Sequence, residues 1–332
     1  MALNLLTLFP KRYYEKKMSL VRRDVVDCMV RMKDERPDPQ INAHLSGQGW
    51  DDWSDADDLL SNVEHIMPEA DAVFAYKPEG NAKDKVAPIK GLHERDALKR
   101  VLSYNECWWG DQRALKEGID FGATHVVIHH ANDLERWDGH VEHGIKVRHI
   151  PHCADPRWFA SGPLAEVAPY KDRVADAIVT GALSPQFYPL RCHMASLIDS
   201  QQVPGYVVSH PGYRLLNVTE CRRQATRYAY LLGSAKLSLC CTSIYRYALA
   251  KLYESWMAGT PVCGDLPDDP EYVRLFGEVH IECDQRNARD VILAALADDD
   301  ELERRAILGR QIAMGNCTPA HYCRRFAEFV SM

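Results

Sequence analysis

Short apolar runs alternate with longer segments of helical spacing twice along this chain of 332 residues, and a proline-rich stretch separates the two series. Such alternation dictates parallel sheets, because parallel neighbours must be joined by a crossover of about a dozen residues, usually a helix. In the first series, strands are expected at 4–9, 41–45, 72–76, 100–104, 124–128 and 146–150. Helices are expected at 18–33, 56–66, 93–99 and 109–118. Pro151, Pro156, Gly162, Pro163 and Pro169 break any long element between 151 and 175, which marks a domain boundary. The second series then predicts strands at 175–179, 206–209, 236–239, 261–263 and around 279–282. Its helices are expected at 189–200, 217–231 and 246–258. Residues 286–331 are largely helical in pattern, with the acidic run Asp298-Asp299-Asp300-Glu301 opening one helix.

The length suits two domains of about 150 residues each rather than one core. A hydrophobic share of 46% with 26% charged residues is that of an ordinary globular chain. No apolar run approaches the roughly 20 residues that span a bilayer. The apolar start, residues 1–10, lacks a charged lead and a cleavage site, so it reads as a first strand and not as a signal peptide. Eleven cysteines without a C-x-x-C pair point to buried thiols in a reducing, cytoplasmic setting and argue against zinc. The formal net charge of −7 argues against broad adhesion to nucleic acid. Residues 11–23 depart from that balance, with six basic residues and two tyrosines. They read either as a solvated loop and helix start, or as a contact for phospholipid headgroups or a polyanionic acceptor. The latter would place the protein peripherally at the inner membrane face.

Chemistry concentrates in Lys251-Leu-Tyr-Glu254-Ser-Trp-Met-Ala-Gly259-Thr-Pro261-Val262. Lys251 and Glu254 are three apart and share one helix face near its N-terminal end. That end carries the positive pole of the helix dipole and unpaired N–H groups. A cation and a carboxylate there suit a nucleotide-diphosphate ligand, the ammonium meeting phosphate and the carboxylate meeting ribose hydroxyls. The run resembles the donor-site signature of GT-B-fold glycosyltransferases of the retaining, group 1 (family-4-like) type. Two further segments carry the resemblance. Ile150-Pro151-His152-Cys-Ala-Asp155-Pro-Arg-Trp-Phe159 is similar to the family's interdomain hinge, with His152 where the family usually has asparagine. Val179-Thr-Gly181 resembles the glycine loop that opens the donor domain, and Tyr188-Pro189-Leu190-Arg191 is similar to a run in spore-maturation-protein-like transferases.

The resemblance implies an α/β protein of GT-B architecture: two Rossmann-like domains facing across a cleft, with the C-terminal helix crossing back. Residues 1–150 would bind the acceptor, 151–312 the nucleotide sugar, and 313–332 would form the returning helix. Arg191 and Lys251 would stabilise the departing diphosphate, and Glu254 would hold the ribose. Gly181, Thr242, Ser243, Gly264 and Asp265 would complete the donor site. Arg246 stands where the family has the first glutamate of its pair, eight residues before Glu254, which implies altered sugar recognition or a third phosphate ligand.

From the first domain, Glu106 and His129 are candidates for the chemistry, and Asn105, Trp108 and His130 for the acceptor. All five sit at carboxyl ends of expected strands, where α/β folds bind ligands. Packing accounts equally for the tryptophan pair and the vicinal histidines. Asp55–Asp57 and Asp268-Asp269 read as helix starts, so no metal and no cofactor beyond the donor are expected. The reaction implied moves a sugar from a nucleotide-diphosphate donor to an acceptor hydroxyl, with retention. The acceptor is a glycan, a lipid-linked or a small molecule. Two alternatives stay open: transfer to a modified nucleic-acid base or other polyanion, and an inactive nucleotide-binding scaffold.

Overall fold

A computed structural model describes residues 2–11, 25–26, 28–29, 41–76, 92–104, 106–107, 113–162, 165–208 and 218–332. The basic run from 12 onward, most of the helix expected at 18–33, Asn105 and Trp108 lie outside the described residues. The chain divides into two compact units. The first takes in the chain up to Pro151 together with Pro319–Met332, and the second runs from His152 to Thr318.

In the first unit, β1 (Leu3–Leu8), β2 (Ile41–Ser46), β3 (Ala72–Tyr76), β4 (Lys99–Tyr104), β5 (His125–Ile128) and β6 (Lys146–His149) form one sheet in the order β2-β1-β3-β4-β5-β6. Every pairing is parallel. Parallel strands are covered on both faces, which is why they read as nearly unbroken apolar runs; β5 is buried at every position. Helix α1 (Leu59–Ile66) starts at Asp58, whose carboxylate accepts from Ser61 N at 2.7 Å, so the acidic stretch before it is a helix start. Helix α2 (Arg113–Asp120) precedes β5. The helix expected at 93–99 is only a short 3-10 turn, Leu92–Glu94. Leu98 N closes a tight turn on Arg95 O, and Lys99 already belongs to β4, so no length is left for an α-helix.

The last helix of the chain, residues Pro319–Ser331, belongs to this unit. Phe326 meets Phe74 of β3 edge-on at 4.7 Å, and Tyr322 lies 5.6 Å from the ring of His129. Phe326 is fully buried, and burying such a ring stabilises by about 2–3 kcal/mol.

In the second unit, β7 (Ala175–Thr180), β8 (Gly205–Val208), β9 (Ala235–Leu239), β10 (Val262–Gly264) and β11 (Ile281–Glu282) form a parallel sheet in the order β11-β10-β9-β7-β8. The chain enters this unit through α3 (Pro156–Phe159), capped by Asp155, and Ala154 N bonds Cys317 O at 2.8 Å. The crossover helices are α4 (Pro189–Asp199), α5 (Val218–Gly233), α6 (Ala250–Met257) and α7 (Pro270–Phe276). Helices α8 (Ala288–Leu296) and α9 (Asp299–Asn316) follow, and α9 is capped by Asp298, which accepts from Glu301 N. Asp269 likewise caps α7 through Glu271 N and Tyr272 N, so the second acidic pair is also a helix start.

Trp256 of α6 stacks on Phe276 at 5.5 Å and is fully buried. Gly309 of α9 lets the Trp256 ring pass, since a β-carbon there would overlap it. The helix expected at 246–258 begins only at Ala250. Ser243 and Arg246 adopt left-handed backbone conformations (φ 66° and 58°), and Tyr247 N bonds Thr242 O at 2.8 Å. Residues 242–249 are therefore a folded loop, and Arg246 belongs to it rather than to the helix.

Order reverses in the second sheet between β7 and β9: from β7 the chain continues outward to β8, and then returns to add β9 on the other side. Ligands of open α/β sheets bind at the carboxyl ends of strands flanking such a point. The segments leaving these two strands are Gly181 onward and the 240–249 loop.

Candidate functional site

Gly181 follows β7 with φ 99°, a conformation that costs a residue with a β-carbon roughly 1–2 kcal/mol. Its missing side chain has a second consequence. A β-carbon on Gly181 would sit 2.5 Å from Lys251 Cε, 3.0 Å from Arg191 Nη1 and 3.2 Å from Lys251 Nζ. Two cations thus approach one bare stretch of backbone.

Arg191 lies in the first turn of α4, which Pro189 starts. It is only 2% exposed. Its Nη1 donates to Ala182 O at 3.1 Å, its guanidinium covers the Tyr188 ring at 4.1 Å, and its Nε has no partner among the described residues. Lys251 lies in the first turn of α6 and forms no ion pair among the described residues. Burial and the neighbouring Arg191 both push its pKa down, against the pull of Glu254. Two cations this close, Arg191 buried and Lys251 half-buried, are expensive unless an anion joins them.

Glu254, one turn later, is buried and accepts a hydrogen bond from Tyr228 of α5 at 2.8 Å. Burial raises its pKa, while Lys251 and the Tyr228 hydroxyl oppose the rise. Helix α6 starts at Leu249 without a side-chain cap, so its first-turn amides receive no side-chain acceptor from that residue.

The loop that leads into α6 is organised by Asp265, just beyond β10. Its carboxylate accepts from Thr242 N at 2.9 Å and also from the Thr242 hydroxyl. Arg246 reaches Asp265 at 3.6 Å and Asp268 at 3.2 Å, so its charge is already engaged by two carboxylates. Ser243 Oγ accepts from Tyr245 N at 3.2 Å and shapes the turn. Gly264 packs so closely on the Cys240 carbonyl that a β-carbon there would collide with it. Behind the loop, Trp256 Nε1–H donates to the Tyr272 hydroxyl (3.0 Å), which donates to His280 Nδ1 (3.0 Å). His280 Nε2–H then donates to Gly264 O at 3.0 Å. This chain of donors needs neutral His280, and burial lowers its pKa to about 4.

In the first unit, Glu106 is half-buried just after β4. Both ring nitrogens of His129 are engaged internally: Nδ1 with Ile150 O at 3.0 Å and Nε2 with the Ser103 hydroxyl at 3.1 Å. His130 is fully buried, and burial drives its pKa well below the usual range. His130 therefore sits as a neutral core group beside the sheet, and His129 is buried there with both ring nitrogens engaged. The order reversal in this first sheet falls between β1 and β3, not at the β4 and β5 ends that carry Glu106 and His129. Among the described residues, no group of three or more His, Cys, Asp or Glu side chains could hold a metal ion.

Solved structures share this architecture along the whole chain. Anabaena HepE in complex with UDP and glucose matches with a TM-score of 0.61 and 15% identity over 99% of both chains. Sucrose-phosphate synthase from Thermosynechococcus elongatus matches at 0.62 and 12% identity, over 99% of this chain and 98% of that one. The fold is GT-B. A third GT-B relative by structure is an α-glucosyltransferase in complex with UDP and a 13-mer DNA containing an HMU base, with a TM-score of 0.60 and 7% identity over 100% of each chain. No family model and no curated protein matches the sequence, so the likeness to spore-maturation-protein-like transferases rests on the Tyr188–Arg191 run alone.

The second unit of this GT-B chain thus gathers Gly181, Arg191, Lys251 and Glu254 at one place, and ties Thr242, Ser243, Arg246, Gly264 and Asp265 into the adjoining loop. The sequence pattern does not single out Tyr228, and it marks Tyr188 only as part of the run ending at Arg191, not as the ring beneath that guanidinium. Tyr228 is 26 residues from its partner Glu254, and nothing in an exposed helix pattern distinguishes it from a surface tyrosine.

Proposed function

We propose that this chain is a glycosyltransferase that takes a sugar from a nucleoside-diphosphate donor, binding the donor in its second unit. The observation that carries the reading is the convergence of Arg191 and Lys251 on Gly181, with no carboxylate paired to Lys251 among the described residues. A diphosphate laid against Gly181 would supply the missing negative charge. As the bond from sugar to phosphate breaks, charge grows on the leaving phosphate, and fixed cations in a dry site stabilise that growth. Glu254 then accepts from ribose hydroxyls. Neighbours of the same fold were solved with UDP, or with UDP and glucose, which supports a uridine nucleotide as the first donor to try.

On this reading the acceptor hydroxyl is served by the first unit, where Glu106 is the candidate base. No metal is needed, since Arg191, Lys251 and the start of α6 carry the diphosphate. Retention follows from attack on the same sugar face, assisted by the leaving phosphate. The protein acts in the cytoplasm; no helix among the described residues is long and apolar enough to cross a membrane. Residues 11–23 are the proposed contact for an anionic surface or acceptor.

Incubation with UDP-glucose, GDP-mannose and ADP-glucose tests the activity, with released nucleoside diphosphate as the readout. Slow release from one donor, lost in Lys251→Met, is the expected result; no release from any donor, with or without a panel of sugar and lipid-linked acceptors, would favour an inactive scaffold. The DNA-bound neighbour and the basic run at 11–23 support a second reading, transfer to a modified base. That reading requires DNA binding whose affinity falls steeply with salt.

A further inference from the structure

Lys251 and Glu254 lie one turn apart on one face of α6, yet they form no ion pair among the described residues. Both meet a third side chain. Tyr228 of α5 donates its hydroxyl to Glu254 Oε2 at 2.8 Å, and the Lys251 ammonium lies 5.2 Å over its ring. The same ring packs edge-on against Phe159 at 5.9 Å, and buried Thr180, the residue before Gly181, lies beside the hydroxyl. Tyr228 is thus fixed from two sides while it touches both ends of the proposed donor site.

We infer that Tyr228 is a positioning residue that keeps Glu254 and Lys251 apart and aimed at a nucleoside diphosphate. This rests on the functional reading above and adds to it a residue outside the signature helix. Three physical effects support it. A phenol that donates to a carboxylate favours the ionised acid, which accepts from ribose hydroxyls with its other oxygen. An aromatic face attracts an ammonium without consuming a hydrogen-bond donor, so all three N–H groups of Lys251 stay available for phosphate. A direct Lys251–Glu254 pair, by contrast, would satisfy each group at the expense of the ligand. Tyr228 supplies the side-chain hydrogen bond that Glu254 receives among the described residues.

The groups facing Glu254 and Lys251 are Tyr228 from α5, Arg191 from α4, and Cys240 and Cys241 beyond β9. Of these, Tyr228 holds a donor against the carboxylate, while Arg191 acts on the ammonium. Removing the hydroxyl therefore raises the pH below which Glu254 takes up a proton.

The test is calorimetric binding of UDP and of inorganic diphosphate between pH 5 and 8, using the full chain and Tyr228→Phe, Tyr228→Leu, Glu254→Gln and Tyr228→Phe/Glu254→Gln. Tyr228→Phe keeps the ring and its packing. It is expected to weaken UDP about tenfold, in line with loss of a hydrogen bond to a charged group, and to leave diphosphate unchanged. It should also move the acidic limb of UDP binding to higher pH. In Tyr228→Leu, diphosphate binding should fall as well, because Lys251 is free to pair with Glu254. The double variant should bind UDP no worse than Glu254→Gln alone. Equal UDP affinity and an unmoved pH limb in Tyr228→Phe would overturn the inference and leave the donor site standing. Failure of the unmodified chain to bind UDP, GDP or ADP would overturn the functional reading itself.

Discussion

Lys251 Nζ and Arg191 Nη1 lie 3.2 Å and 3.0 Å from a single point, the position a β-carbon would take on Gly181. Two cations from different helices are thus held against one residue whose lack of a side chain is what admits them. The arrangement is costly for folding, and on the proposed reading a bound diphosphate offsets that cost.

Gly181→Ala follows directly. The substitution forces a β-carbon into a left-handed backbone and against Lys251 Cε at 2.5 Å. A stability loss of about 1–2 kcal/mol is expected. Nucleoside-diphosphate affinity should fall further than that loss explains, because the lysine must move. Chemical denaturation and titration of the same preparation separate the two effects.

Arg246→Ala tests the residue that departs from the family pattern. Its guanidinium is 44% exposed and already faces Asp265 and Asp268, and exposed pairs of this kind contribute about 0–1 kcal/mol. Stability and UDP affinity should therefore change little. Discrimination between donors that share a nucleoside diphosphate but differ in sugar should change, read as the ratio of kcat/KM values. An Arg246→Ala protein that loses UDP binding outright would instead make this arginine a phosphate ligand.

Acid should weaken the protein between about pH 6.5 and 4. His280 and His125 are buried, and both are depressed to about 4 in the fold, His280 chiefly by burial and His125 by burial with Lys146 and Lys99 nearby. A depressed histidine stays neutral in the folded chain while the unfolded chain protonates near 6.5. Its contribution is complete above 6.5 and is lost as pH falls toward 4, at up to about 1.4 kcal/mol per pH unit per group. His280→Gln should flatten this dependence, measured as the urea midpoint at pH 7.5 and at pH 5. Glu254, raised by burial, works in the opposite direction, since a raised acid gains stability as pH falls.

Much of the strand framework was legible because parallel strands buried on both faces leave apolar runs that need no partner to be recognised. Ala72–Tyr76 is found as expected, and β4, β5, β7 and β9 begin or end within one residue of their expected positions. Loop geometry was not legible. The signature helix starts four residues later than its pattern suggests, because Ser243 and Arg246 take positive φ without a glycine to announce the turn. At 93–99 a short helical spacing yields to the demand of β4 for Lys99. Arg191, Lys251 and Glu254 could be named from the sequence because they stand in runs that resemble the family's motifs, Arg191 and Lys251 in the first turns of helices and Glu254 one turn further on. Their supports could not: Tyr188 and Tyr228 act through side-chain contacts that only packing creates. His129 and His130 were attractive as strand-end polar residues, but the fold buries them both.

Binding of UDP, GDP and ADP to the full chain and to Lys251→Met, by isothermal titration calorimetry, tests the donor site most directly. Methionine keeps the length of the side chain and removes a half-buried charge that has no ion pair among the described residues, so the variant should be as stable as the parent without ligand, or more so. One nucleoside diphosphate should bind the parent, and Lys251→Met should weaken it about 100-fold with its fold intact. Equal affinity in both proteins, or no binding of any of the three to the parent, would contradict this reading.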